Sequence, residues 1–487
     1  MENTQYNPFT KAGVITAVSL FLGILFNYFF FEKTPGISFP IYIALIVGGL
    51  FAIAGIFKKP LSKQVLWLLI PLMFFSIMVF VRASFLLTFL NIVSSLLLLL
   101  IIAKVSFDLK IRDFLATDYA KIFFLPFKFI RPLFTSLSDL ILLRGVTKDG
   151  KVFSQIIKGL IITLPVLVIF LLLFSSADLI FEKYLSDLIH IEIDDETIAR
   201  LIFILCFTLA YIGSYSYIFR KTEDKDQVKE KTNSYTIGSI ENSILLGSVN
   251  SLFFIFILVQ LTYLFGGESN ISVQGFTFAE YARKGFFELI WVAIISLILL
   301  LATEKYTVKN DAKHKLGFKI LSTALIVQVI IIMTSAFTRL SLYEAAYGFT
   351  TLRLYSHAFI IFLGVIFVLL ILKIYKDKTG NLFAFRTFVS IILFLAVMNF
   401  LNPDAFIANK NIERFEATGK LDVYYLNSLS DDAIPEVVKA LEISDENLKN
   451  SLSQELYLRN TDRPAFQADW QSLNIARMNA NKILDSK

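Results

Sequence analysis

The chain has 487 residues, of which 56% are hydrophobic and 18% are charged, and its mean hydropathy is +0.67. Soluble globular domains are far less apolar, so this composition excludes an ordinary soluble fold. The formal net charge of +6 does not indicate nucleic-acid binding, because the excess of Lys and Arg lies in loops between apolar segments.

Eleven stretches of roughly 18 to 25 mostly apolar residues each match the length of one membrane crossing, since a helix rises about 1.5 Å per residue and the hydrocarbon is about 30 Å thick. We therefore predict an all-α polytopic transmembrane helix bundle. The first span is expected to stay as an anchor, because no cleavage site follows it. The predicted spans are 12–31, 38–57, 64–81, 83–103, 157–177, 198–219, 242–265, 286–303, 316–338, 354–374 and 388–401.

The distribution of basic residues predicts the orientation. Only Arg82 and Ser84 interrupt the third and fourth spans, but together these spans are too long for one crossing and predict a tight hairpin. With eleven spans and the N-terminus inside, the inner segments hold 28 of the 46 basic residues, the outer loops 8 and the tail 10. The positive-inside rule thus places the N-terminus in the cytoplasm and the C-terminus outside.

The longest inner connection, residues 104–156, is expected to contain helices that lie on the inner leaflet. Residues 113–125 and 132–143 are short apolar-rich helical patterns, split at Pro126 and Pro132, with basic residues between them. Such a pattern is typical of interfacial helices that contact anionic lipids, and a re-entrant hairpin is the alternative. The predicted organisation is a membrane bundle over 1–401 and a helical extracytoplasmic tail over 402–487.

The sequence gives little support for a bound cofactor. The segment from Gly145 to Lys151 has G-x-x-x-x-G-K spacing, but Val152 follows where a Mg²⁺-binding Ser or Thr belongs. With one cysteine, Cys206, and three histidines, a structural zinc site is not expected. We expect no cofactor, no metal and no nucleic-acid partner, and the sequence sets no oligomeric state.

Two outer segments contain charged residues at helical spacing and are the candidate functional region. In the first segment, acidic and basic residues recur every four positions, so their side chains would lie on one face of a helix at the start of the eighth span. A carboxylate that enters a membrane needs a partner, a proton or a water-filled cavity. A structural ion pair is the alternative to a functional site. The candidates in this segment are Glu280, Arg283, Lys284 and Glu288.

The second segment carries arginine on the side where basic residues are scarce. Gly348 is predicted to end a short helix there. The arginines are suited to hold a phosphate or carboxylate, or to pair with Glu344 and Glu280. The histidine is suited to carry a proton or to make an ordinary hydrogen bond. The candidates in this segment are Arg339, Glu344, Arg353 and His357.

The tail changes abruptly to polar composition at Asn402. It begins with a turn and a capped helix, and further helical stretches follow Gly419. Its few large apolar residues predict a thin core, so we expect the tail to rest on the outer loops rather than extend into solvent.

Several short motifs together resemble a known membrane family. They are AEYARKGFFEL at 279–289, YEAAYG at 343–348, NPD at 402–404, NIER at 411–414 and GKLD at 419–422. These look like the family catalogued as domain of unknown function 4173, which is related to 4153. The resemblance covers roughly the C-terminal half and implies a bacterial inner-membrane protein. It implies no activity, and the N-terminal spans agree with the family by topology only.

Three functions are consistent with this sequence. A transporter or channel-like protein would move a small solute or lipid, with the outer charged cluster as its entry. A membrane-embedded transferase would use Glu280 or Glu344 as general base while Arg339 or Arg353 holds the phosphate of a lipid-linked substrate. An envelope sensor or scaffold is the third. We favour transport, and enzymatic activity is not the primary expectation.

Overall fold

The computed structural model describes residues 7–107, 109–142, 195–220, 237–264, 286–307, 311–376, 380–442, 446–461 and 469–485. This part of the chain is helical, apart from loops and one isolated β-bridge between Ile237 and Thr307. The predicted all-α fold is therefore confirmed. The helices up to residue 401 are α1 Pro8–Phe30, α2 Ser38–Ile56, α3 Lys63–Val81, α4 Phe85–Val105, α5 Ala116–Ala120, α6 Ile130–Leu142, α7 Asp195–Phe219, α8 Ser239–Leu264, α9 Phe286–Tyr306, α10 Ala312–Tyr347, α11 Thr351–Tyr375 and α12 Gly380–Leu401.

Ten of the described helices, α1–α4 and α7–α12, are long and apolar enough to cross a membrane. They coincide with ten of the eleven predicted spans, including the tight hairpin at Arg82. The remaining predicted span, 157–177, lies outside the described residues, as does the Gly145–Lys151 motif.

The predicted boundary that differs most from the structure is the end of the ninth span. The sequence predicts a span over 316–338 followed by a loop and a short helix, but α10 continues without a break for 36 residues to Tyr347. At about 1.5 Å per residue it is about 54 Å long and extends beyond the hydrocarbon. Polar residues after 338 stay helical because α11 and the tail provide partners for them.

The spans form two groups with separate apolar cores. The first bundle contains α1–α4 and α7, with Leu22, Leu72 and Phe75 at its centre. The second bundle contains α8–α11, with Val329 and Phe367 at its centre. Helix α12 contributes side chains to both cores and so joins the two bundles.

The ends of the helices gather on two opposite faces. On the face that we call the loop face, Ser62 N donates to Ser106 O at 2.8 Å and the side chain of Asn381 donates to Asp113 O at 2.8 Å. The turns after α1, α3 and α10 lie on the other face, which we call the tail face because residues after 402 contact all three. For example, Ile37 N donates to Leu473 O at 2.9 Å.

The connection after α4 runs along the loop face as a 3₁₀ turn at Ile111–Asp113, then α5, a 3₁₀ helix at Lys121–Phe129, and α6. Our prediction of a break at Pro126 is wrong, because the 3₁₀ helix continues through it. Pro132 is tolerated in the first turn of α6, where no helical N–H bond is lost. Whether this connection lies on the leaflet or re-enters it stays a prediction.

The described part of the tail forms five further α-helices, whose apolar core also includes Leu354 of α11. Ile407, Leu426 and Ala480 are fully buried there, so the tail is better packed than its composition suggested. The division of the chain at 402 stays a prediction. The tail helices are α13 Pro403–Thr418, α14 Val423–Ser428, α15 Ile434–Lys439, α16 Glu446–Thr461 and α17 Ile475–Leu484.

The predicted orientation can be tested with single cysteines in a Cys206→Ser background. Tyr424 on the tail is 78% exposed, and Lys110 is exposed on the loop face. We expect a membrane-impermeant maleimide to label Tyr424→Cys in intact spheroplasts, and to label Lys110→Cys only after the membrane is permeabilised. The reverse pattern would place the tail in the cytoplasm and contradict the charge argument.

Candidate functional site

The turn between α10 and α11 is held closed by the tail. Gly348 ends α10 with a φ of 84°, a conformation that favours glycine. Asn411 of α13 then binds both backbone groups of Phe349, accepting from its N–H at 2.7 Å and donating to its carbonyl at 2.9 Å. Arg414 of α13 donates to the carbonyls of Ala345 and Ala346 at 2.9 and 2.6 Å, so it satisfies backbone groups at the end of α10.

Glu344 and His357 face each other across the hairpin of α10 and α11. Glu344 Oε2 lies 3.1 Å from His357 Nδ1, and the two side chains are only 4% and 11% exposed. His357 Nε2 lies 3.2 Å from Ser341 Oγ and 3.3 Å from the carbonyl of Phe337. Both imidazole nitrogens therefore have partners, which fixes the orientation of the ring.

The second carboxylate oxygen of Glu344 is buried and has no hydrogen-bond partner among the described residues. An unpartnered buried oxygen costs free energy unless it binds a proton, a water molecule or a ligand. The pair is thus a buried polar group with one unpartnered carboxylate oxygen at the tail-face end of the second bundle.

Arg353 is engaged by the same turn. Its guanidinium donates to the carbonyl of Gly348 and lies 4.1 Å from the ring centroid of Tyr343, a cation–π contact. The carboxylate of Glu344 is instead paired with His357. Arg339 is half-buried on α10, one turn before Tyr343.

Of the remaining predicted site residues, the structure describes only Glu288. Glu288 is exposed in the first turn of α9. Glu280, Arg283 and Lys284 lie outside the described residues. Glu344, Arg353 and His357 thus meet at one turn, and the role of the predicted charged cluster as a site stays a prediction.

Our sequence reasoning missed a second polar junction on the tail face, at the hairpin between α3 and α4. Asp432 of the tail accepts hydrogen bonds from the N–H groups of Ala83 and Ser84 at 2.6 and 2.9 Å, and lies 3.5 Å from the guanidinium of Arg82. Arg82 also donates to the carbonyl of Asn399 in α12, at 3.0 and 2.6 Å. This junction joins the first bundle, α12 and the tail. The available signal was a lone arginine in a hairpin that the sequence predicts to lie outside, against the positive-inside rule.

Asp432 is a carboxylate under two opposing influences. Burial raises its pKa above the ordinary value, while the N–H group of Ala83 and the charge of Arg82 act in the opposite direction. Asp404 lies close enough to raise the pKa further. The junction is thus a buried arrangement of charges whose removal leaves polar groups unpaired.

Polar side chains are also buried inside the spans. Asn91 of α4 and Asn399 of α12 form a reciprocal amide pair, with both contacts at 2.8 Å. Lys373 of α11 lies 2.6 Å from Glu304 of α9. Polar groups in hydrocarbon are costly without partners, so these pairs specify which helices meet. Across the ranges described, no group of three or more His, Cys, Asp or Glu side chains is arranged to hold a metal.

Two bundles of apolar helices with buried polar pairs define a multi-pass helical membrane protein. The chain belongs to the family described as Domain of unknown function (DUF4153), whose profile matches residues 69–440. The match begins within α3 and so extends well beyond the C-terminal half that carries the sequence motifs. Membership of the related family 4173 and a bacterial origin stay predictions. No curated protein and no solved structure matches the chain.

Replacing Asp432 should loosen the tail. In Asp432→Ala, Arg82 loses its carboxylate and two backbone N–H groups lose their acceptor, which we expect to cost about 3 kcal/mol or more. Glu436→Ala is the matched control, because Glu436 is half-buried and its partner Lys439 is exposed, and such a surface pair is worth at most about 1 kcal/mol. The Tm of each variant is measured from tryptophan fluorescence during heating in detergent. An equal decrease in Tm for the two variants would contradict the buried junction.

The turn at Gly348 gives a second stability prediction. In Gly348→Ala the new Cβ would lie 2.7 Å from Asn411 Oδ1 at a φ of +84°, and we expect a loss of about 2 kcal/mol from steric strain. At Gly317, earlier in the same helix, a new methyl group would have no atom within 4 Å, so Gly317→Ala should stabilise by up to about 1 kcal/mol. A Gly348→Ala protein as stable as Gly317→Ala would show that this turn tolerates a side chain.

Proposed function

We propose that this protein moves a small solute or lipid across the membrane through its second bundle. One observation carries the proposal: polar side chains are buried at several depths within α8–α11, a group of helices otherwise filled with apolar residues. Polar groups inside spans usually mark ion or substrate pathways, because hydrocarbon alone does not stabilise them.

Two amides lie near the middle of this bundle. Asn250 of α8 donates to the carbonyl of Leu321 at 3.1 Å, and Gln328 of α10 donates to the carbonyl of Asn250 at 3.2 Å. The side-chain oxygens of Asn250 and Gln328 are buried and have no hydrogen-bond partner among the described residues. Two hydrogen-bond acceptors are therefore left for water or for a passing solute.

The Glu344–His357 pair supplies a proton-binding group further along the same helix. Glu344 follows Gln328 by 16 residues in α10, a separation of about 24 Å along the helix axis. A transporter coupled to the proton gradient needs such a group within its moving helices. The division of the spans into two bundles also agrees with transport by motion of one bundle against the other.

An envelope scaffold or sensor is the second candidate, because the tail exposes aromatic side chains. Tyr424 is 78% exposed and Tyr457 is 69% exposed, and the helices that carry them pack together. Aromatic residues are enriched in protein interfaces. The transferase hypothesis has less support, since Arg353 is engaged by Gly348 and Tyr343 rather than directed at an open anion site.

Proton movement gives the first test of transport. The full chain is reconstituted into liposomes that contain the pH-sensitive dye pyranine, with potassium and valinomycin to remove the membrane potential. We expect an imposed pH gradient to collapse faster than in protein-free liposomes, and Glu344→Gln or Gln328→Leu to slow the collapse. Thr334→Val is the matched control, because its exposed hydroxyl only bonds its own helix at Ile330.

A lipid probe completes the test. Dithionite reduction of an NBD-labelled phospholipid reports whether lipid crosses between the leaflets in the same liposomes. The transport proposal is contradicted if the wild-type protein accelerates neither the collapse of the pH gradient, as reported by pyranine, nor the movement of labelled lipid between the leaflets. Equal rates for Glu344→Gln, Gln328→Leu and Thr334→Val would remove the buried polar groups from the pathway.

A further inference from the structure

The 3₁₀ helix at Lys121–Phe129 has one face whose side chains are largely exposed in the described structure. A 3₁₀ helix repeats every three residues, so Lys121, Phe124, Phe127 and the following Ile130 lie along one edge. Phe124 and Phe127 are 67% and 70% exposed, and Ile130 is 50% exposed. Together with Arg131 these residues form what we call the aromatic–basic edge.

The opposite side of this helix is fixed to the first bundle. Ile122 and Leu125 are buried in or beside its core. Tyr119, just before the 3₁₀ helix, stacks on Phe388 of α12 with 5.2 Å between ring centroids. Phe129, at its end, lies 5.2 Å from the ring of Tyr217 in α7. The segment therefore passes laterally from one span to another across the loop face.

The depth of this segment follows from its contacts. Phe388 is eight residues from the start of α12 at Gly380, or about 12 Å along the axis. The backbone of Phe129 meets Gly213, which is six residues from the end of α7 at Phe219, or about 9 Å. Helices that lie in the plane of a membrane bury their apolar face about 5–10 Å into the headgroup and acyl boundary. These distances from the helix ends agree with a segment at that depth, where exposed phenylalanines would meet lipid.

Charge identifies the kind of lipid. Residues 104–131 contain six Lys or Arg and three Asp or Glu. Lys121 is 71% exposed, and its ion pair with Asp118 is weak because the two charged atoms are 3.8 Å apart. Arg131 is also exposed. Two cations beside aromatic rings at the depth of headgroups are complementary to a phosphodiester, the group that an anionic phospholipid presents there.

We propose that the aromatic–basic edge is a binding site for an anionic phospholipid of the leaflet on the loop face. Lys121 and Arg131 lie at opposite ends of the edge, where each is placed to contact a lipid phosphodiester, and Phe124 and Phe127 between them lie among the first methylene groups of the acyl chains. A water-soluble protein partner would not reach side chains at this depth. The site is independent of the proposed transport, because the edge lies on the side of the first bundle and α12.

Native mass spectrometry of the full chain tests the site. The protein is released from nanodiscs of equal phosphatidylglycerol and phosphatidylcholine content, and the retained lipids are counted. We expect wild-type protein to retain phosphatidylglycerol preferentially, and the double variant Lys121→Ala/Arg131→Ala to lose this preference by about fivefold for each charge removed. Lys420→Ala/Lys482→Ala is the matched control, since both lysines are exposed on the tail.

Two comparisons separate the site from general effects. The charge-preserving variant Lys121→Arg/Arg131→Lys should retain phosphatidylglycerol like the wild type, which a misfolded protein would not. Retention that is equal in the alanine double variant and the wild type would overturn the proposal. Displacement of the lipid by millimolar inorganic phosphate would also overturn it, because the edge would then bind a free anion rather than a lipid.

Discussion

Hydrocarbon provides no hydrogen bonds, and this constraint determines most of the structure. Backbone groups must pair within each segment, so the described spans are helices. Many hydroxyl side chains in the spans bond to a carbonyl of their own helix, while several longer polar side chains pair with a neighbouring helix and help to specify which helices meet. The Asn91–Asn399 pair joins α4 to α12, and the Glu344–His357 pair joins α10 to α11. Buried polarity is thus both the organising feature of the bundles and the basis for assigning them a function.

Length and hydropathy predict the spans well because they report local burial in lipid. They fail at the end of α10, where Arg339, Tyr343 and Glu344 look like loop residues in isolation. The helix continues to Tyr347 because His357 pairs with Glu344, Gly348 caps the helix and Arg414 donates to the carbonyls of Ala345 and Ala346. Arg414 lies 68 residues beyond Ala346, so no window of sequence around residue 340 contains this information.

The sequence predicts which individual residues belong to the candidate site, but it does not predict which of them contact each other. Glu344 and His357 both stand out in the sequence, but the partner that the sequence analysis offered for the carboxylate was an arginine. The structure pairs Glu344 with His357 instead because antiparallel helices bring residues 344 and 357 to the same level. Arg82 and Asp432 are 350 residues apart. The charge rule marks Arg82 as unusual, but only the fold of the tail shows which residue compensates for it.

The tail contacts both bundles, at Asp432 with Arg82 and at Asn411 with the turn after α10. These contacts involve residues that the ribosome adds after α12. During synthesis most of both bundles is therefore made before the part that fixes them together. The completed tail would then act as a checkpoint in biogenesis: a chain whose hairpins enter in the wrong register presents no matching pair of turns, and its tail remains undocked and open to proteolysis.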